Sequence, residues 1–134
     1  MIDAFLVPEK TRVSAKGDGQ PVDISGATSR VFLAILSITD TVEQEAIDLT
    51  IAGSVDGTTW DPKPVAVFPQ LFYRGETPIL VDVSALPDVK FLRAHWEVNR
   101  WGRGGETPMF EFSLALKEVP AELLNEARPE AKSR

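Results

Sequence analysis

Three stretches of the chain alternate apolar and polar residues with a period of two. In "AIDLTIAGSV" Ile47, Leu49, Ile51 and Val55 share one parity while Asp48, Thr50 and Ser54 share the other. In "KFLRAHWEVNRW" Leu92, Ala94, Trp96 and Val98 alternate with Arg93, His95, Glu97 and Asn99, and in "MFEFSLALKEV" Phe110, Phe112, Leu114 and Leu116 alternate with Glu111, Ser113 and Lys117. Successive side chains on a strand point to opposite faces, so each stretch predicts a strand with one face in a core and one in solvent. "RVFLAILSITD" differs in being apolar on both parities, with Val31, Leu33 and Ile35 on one and Phe32, Ala34, Leu36 and Ile38 on the other. That pattern predicts a central strand covered on both sides, or one whose second face feeds an oligomer contact.

Shorter segments complete the set. "PVAVFPQLFY" and "TPILVDVS" predict two more strands, the first held to an edge or a bulge by Pro69. "TRVSA" and "VDIS" predict short ones on either side of "KGDGQP", a turn composition. At the other end "VPAELLNEARPEAKSR" has Pro120 where a helix starts, Glu122 in the first turn and Pro129 where it stops, which predicts a short helix and tail over 120–134. The expected architecture is all-β: one antiparallel sandwich or barrel over residues 1–119 with seven to eight strands, followed by the short C-terminal helix.

Composition sharpens this picture mainly by exclusion. The 134 residues suit one domain, and 43% apolar with 25% charged is ordinary for a globular chain. Ten prolines and nine glycines fall between the apolar runs and favour many short elements. No cysteine is present, so disulfides, thiolate metal sites and a cysteine nucleophile are excluded. The start, "MIDAFLVPEKTRV", lacks a basic segment and its apolar stretch is interrupted by Pro8, so no signal peptide is read there; no apolar run approaches the ~20 residues of a membrane span. A cytoplasmic location is expected. The net charge of −6 argues against nucleic acid as a partner. Charge is unevenly spread: Asp40 to Asp61 holds six acids and no base, whereas Phe91 to Gly104 holds Arg93, Arg100 and Arg103 against Glu97, an asymmetry that can orient a partner or a second copy.

Within "GSVDGTTW" the Asp56-Gly57 pair supplies the backbone freedom of a tight hairpin, Ser54 and Asp56 can bond the backbone just ahead, and Trp60 folds back over the sheet as an apolar cap. The pattern carried by Ser54, Asp56, Gly57 and Trp60 resembles a hairpin of galactose-binding-like and discoidin-like modules. "KFLRAHW" is similar to a later strand of the same modules through Lys90, Phe91, Leu92 and Arg93. The resemblance implies a jelly-roll-like sandwich, and stretches of phage-type structural proteins look similar. It carries no binding residue over to this chain.

Candidate chemistry is sparse. His95, the single histidine, shares a predicted strand face with Arg93 and Glu97, and Ser113 lies in the next strand; a solvated polar face accounts for the group better than a hydrolytic triad. The acids Asp40, Glu43 and Glu45, and Asp56 with Asp61, lack the spacing of a calcium loop. "WGRGGE" lacks the glycine order of a phosphate cradle. Neither a catalytic set, a metal nor a cofactor is expected. The residue types that anchor interfaces gather in "FPQLFYRG" and "NRWGRGG", where Phe72, Tyr73 and Arg74 stand with Arg100, Trp101 and Arg103 as the expected binding surface. The expected function is a non-catalytic interaction or assembly module, in a homo-oligomer or a bacterial or phage-like particle; a carbohydrate-binding module with a glycan partner is the alternative.

Overall fold

The computed structural model describes residues 2–41, 45–100 and 109–122. Among them are nine strands: β1 (Asp3–Val13), β2 (Gly17–Asp18), β3 (Val22–Asp23), β4 (Val31–Thr41), β5 (Glu45–Ser54), β6 (Ala66–Val67), β7 (Gly75–Asp82), β8 (Phe91–Arg100) and β9 (Phe110–Glu118). They form two antiparallel sheets, one in the order β1-β9-β4-β7, the other in the order β2-β8-β5-β6 with β3 also on β8. β2 pairs with His95 and Trp96, and β3 with Phe91 and Leu92, so the two short strands follow one another along the same neighbour.

The inner parity of each long strand supplies the core. From the first sheet come Phe32, Ala34, Leu36 and Ile38 of β4 and Phe110, Phe112, Leu114 and Leu116 of β9, paired as Ala34 with Leu116, Leu36 with Leu114 and Ile38 with Phe112. From the second come Ile47, Leu49 and Ile51 of β5, opposite Val98, Trp96 and Ala94 of β8. One buried cluster joins the two sets, as a sandwich requires. Trp96 locks the layers together: its ring meets the Phe112 ring edge-on at 5.4 Å, and its Nε1–H donates to Ala15 O at 3.1 Å. Gly17 is what lets β2 pass over this tryptophan, since a Cβ there would sit 3.1 Å from the indole.

The structure corrects the sequence reading at several points, one being that β2 forms within "KGDGQP", which reads in sequence as a turn. β1 runs from Asp3 through Pro8, where the sequence pointed to a short strand over "TRVSA". A register shift between Val7 and Thr11 and a positive φ of 64° at Lys10 accommodate the proline as a bulge. The segment "PVAVFPQLFY" keeps only the two residues of β6 as strand, plus one bridge from Leu71 to Ile47, because prolines at 62, 64 and 69 deprive the ladder of donors. Val55, grouped by parity with the core of β5, is 53% exposed because the strand ends at Ser54 and the chain turns. No helix occurs among the described residues: Ala121 and Glu122 form a turn, and the rest of the expected C-terminal helix lies outside them.

Candidate functional site on the outer faces and one loop end

The residues singled out as a binding surface converge only in part. Phe72, Tyr73 and Arg74 lie in the connection between β6 and β7, and Leu71 just before them is bonded to Ile47 in both directions, at 2.9 and 3.1 Å. Tyr73 is 80% exposed, Phe72 38%, with ring centroids 6.0 Å apart. Arg74 donates to Asp40 Oδ1 at 3.0 Å. That bond, then the Thr41 N–H, holds the Asp40 carboxyl below its ordinary range. Arg100 ends β8 opposite Glu45, two residues from Ile47, so its backbone reaches the same end of the sandwich. Trp101 and Arg103 lie outside the described residues.

The turn after β5 is built by side chains bonding backbone. Ser54, fully buried, accepts from the Gly57 N–H at 2.8 Å and donates to Thr59 O at 2.6 Å; Asp56 Oδ1 accepts from the N–H groups of Thr58 and Thr59, both at 2.9 Å. The Thr59 and Thr58 donors pull the Asp56 carboxyl down to about 2. Gly57 takes the positive φ, 82°, that the turn needs. The turn returns the chain so that Trp60 bridges Ser54. Its ring then meets a charged partner, the Arg93 guanidinium at 4.4 Å, where the sequence suggested an apolar cap.

Arg93 belongs to the polar outer face of the second sheet, where β2, β5 and β8 bring side chains together that are far apart in sequence. His95 Nδ1 stands 2.8 Å from Asp18 Oδ1 and its Nε2 3.2 Å from Glu97 Oε2. Partial burial pushes the imidazole pKa down, but the two carboxylates outweigh it and the net shift is upward. Farther along, Asp48 Oδ2 accepts from Asn99 at 2.9 Å and Gln70 at 3.1 Å. Asp18, Thr50, Trp60, Pro62, Pro64, Arg93 and His95 line an open cleft of about 170 Å³. Sequence reading placed His95 with Arg93 and Glu97 but missed Asp18, whose only local signal is a turn. Ser113 pairs with Ser37 on the other sheet, so it and His95 cannot form a nucleophile and base. Among the described residues no three His, Asp or Glu side chains are grouped to hold a metal ion.

The outer face of the first sheet is of the opposite character. Register places Phe5, Ala115, Ile35 and Pro78 in one row across β1, β9, β4 and β7, and Asp3, Lys117, Leu33 and Leu80 in the next. Phe5 is 47% exposed, and Leu33, Ile35 and Leu80 are partly buried. Polar rows border the band: Ser113, Ser37 and Glu76 lie beside it, and beyond them Arg12 is paired with Glu111 at 3.1 Å.

No protein-family model matches the chain, and no curated protein matches it.

Proposed function

We propose that this chain is a non-catalytic assembly module, a jelly-roll sandwich that associates with a second copy of itself through the outer face of the β1-β9-β4-β7 sheet. The observation that carries the reading is the apolar band of Phe5, 47% exposed, Pro78, exposed, and the partly buried Leu33, Ile35, Leu80 and Ala115, bordered on one side by the row of Ser113, Ser37 and Glu76. An apolar centre inside a polar rim is the anatomy of an interface. Strand addition at the sheet edges is opposed by the chain itself: Pro8 and the bulge interrupt β1, Pro78 sits within β7, and β6 has only two residues. Contact through a flat face is what remains.

Size sets how strong such contact is. Six positions, about 4.8 Å apart between strands and about 7 Å apart between rows, give the band a footprint of roughly 200 Å². A stable interface buries about 800 Å² per partner, so the band is a centre that needs the bordering rows to complete it, and association is reversible. The sheet order, with β2 and β3 counted as one interrupted strand, supports the jelly-roll reading, since it contains the eight strands and crossovers of that topology. The loop end bearing Phe72, Tyr73 and Arg74 is a second contact patch by which copies would be joined; Trp101 and Arg103, expected with them from residue type, lie outside the described residues.

The test is light scattering over a range of concentrations. A dimer that dissociates on dilution is expected, and Ile35→Glu should leave a monomer that still folds, with a lowered melting temperature because the side chain is partly buried on an internal strand. A wild-type monomer at every concentration, or a dimer indifferent to Ile35→Glu, defeats the reading.

A further inference from the structure

On the second sheet, away from the face assigned to assembly, β2 lies along the edge of β8 with little to hold it. None of residues 14–21 is buried. Gly17 and Gly19 meet the Trp96 indole and the Leu6 carbonyl through backbone alone, because a Cβ would come within 3.1 and 2.7 Å of them. A segment that buries no apolar side chain opens at low cost. Besides the short ladder to Trp96 and His95, the Gly19 N–H donates to Ala94 O at 2.8 Å and the Trp96 indole N–H donates to Ala15 O at 3.1 Å. The side-chain anchor is Asp18, whose Oδ1 stands 2.8 Å from His95 Nδ1 and 3.7 Å from the Arg93 guanidinium. We propose that residues 14–21 form a pH-gated flap, latched over Trp96 by protonated His95 and released when that histidine loses its proton.

The latch follows from where the two ring nitrogens point. Nδ1 faces Asp18, and Nε2 faces Glu97 at 3.2 Å. The imidazolium donates to both carboxylates. A neutral imidazole carries one N–H, so one carboxylate is left against a lone pair. The surrounding charges sharpen the contrast. Arg93 and Glu97 share the strand of His95, Asp48 of β5 is opposite Glu97, Thr50 opposite His95 is uncharged, and Asp61 lines the same cleft. After deprotonation four carboxylates share Arg93, whose guanidinium already lies on the Trp60 ring. Of these acids Asp18 is the one on the flap, so repulsion acts on it by lifting β2. Burial lowers the imidazole pKa, but the bonds to Asp18 and Glu97 outweigh it and leave a net rise above 6.5. The latch is therefore complete below that value and is lost as pH rises through the closed-state one. Opening frees the Ala94 carbonyl and the Trp96 indole N–H, so the alkaline form presents an unpaired strand edge that the acid form covers.

The experiment is hydrogen exchange of the full chain by NMR from about pH 6 to about pH 8.5, corrected at each pH for the intrinsic exchange rate. The reporters are the Gly19 amide and the Trp96 indole N–H. Protection at both should fall roughly fivefold across the range. The Leu71 amide, bonded to Ile47 O at the other edge of the same sheet, should keep its protection. His95→Gln should abolish the pH dependence at both reporters. Asp18→Asn should leave them as weakly protected at the acid end as the wild type is at the alkaline end, and should lower the titration midpoint of the His95 ring protons, because latch and proton are reciprocal. Either variant suffices where the other fails to fold. The proposal is overturned by reporter protection that stays constant through the His95 titration, by a fall that persists in His95→Gln, or by a His95 midpoint indifferent to Asp18→Asn. A fall shared equally by Leu71 overturns it too, since the whole sheet and not the flap would then be loosening.

Discussion

Glu118 shows how far one side chain can depart from its place in a pattern. It closes β9 on the inner parity after Phe110, Phe112, Leu114 and Leu116, and is only 6% exposed. Burial by itself pushes its carboxyl upward, but the N–H groups of Ile2, Ser29 and Thr28, at 3.0, 2.8 and 2.7 Å, outweigh that and hold it at about 2. The carboxylate thus ties the N-terminus and the β3–β4 connection to the end of β9. Glu118→Gln places an amide against these donors and is expected to cost about 2 kcal/mol, measured by chemical denaturation. Because the folded value is depressed from the ordinary 4.5, the contribution is present above that pH and is lost as pH falls toward about 2, so the variant should show a flatter acid limb. His95 has the opposite sign. Its folded pKa is raised above 6.5, so its stabilisation is complete below that value and is lost as pH rises through the folded one. As the only histidine in the chain, it should account for a fall in melting temperature on crossing neutrality that His95→Gln removes.

At the scale of elements, local chemistry and neighbouring strands decide different things. The β5 turn is legible in sequence because Ser54, Asp56 and Gly57 act on backbone only a few residues away. Gly57→Ala would force a Cβ into a φ of 82° and within 3.4 Å of the Phe91 ring; a loss of about 1 kcal/mol in thermal or chemical unfolding is expected. β4 shows the other case. Its two apolar parities are plain in the sequence, yet both an internal strand covered twice and a strand with an open face produce them. The pairing of β4 between β9 and β7 makes it internal to its sheet and still leaves Leu33 and Ile35 outward. β1 shows the same dependence on neighbours: Pro8 offers no N–H, and on the edge of the sheet a bulge absorbs that loss, so the strand runs on through it.

For the whole molecule the decisive contacts join the two sheets. Trp96→Ala would remove the ring packed on Phe112 and the bond to Ala15, and a loss of 3–5 kcal/mol in equilibrium unfolding is expected, enough to unfold a marginal domain. The candidate sites follow the same logic of remote neighbours. His95 with Arg93 and Glu97 was legible because residues two apart share a strand face, but Asp18 is 77 residues from His95 and joins them only because β2 pairs with β8. By itself the sequence determined that β4, β5, β7, β8 and β9 are extended, which parity of β5, β8 and β9 faces inward, and where the chain turns after Ser54, since each depends on side chains within a few residues. Only the tertiary structure decided which strands are neighbours, and with that the apolar band on one outer face and the mixed cleft on the other. Pairing is selected by the burial of the whole core, and no local period encodes it.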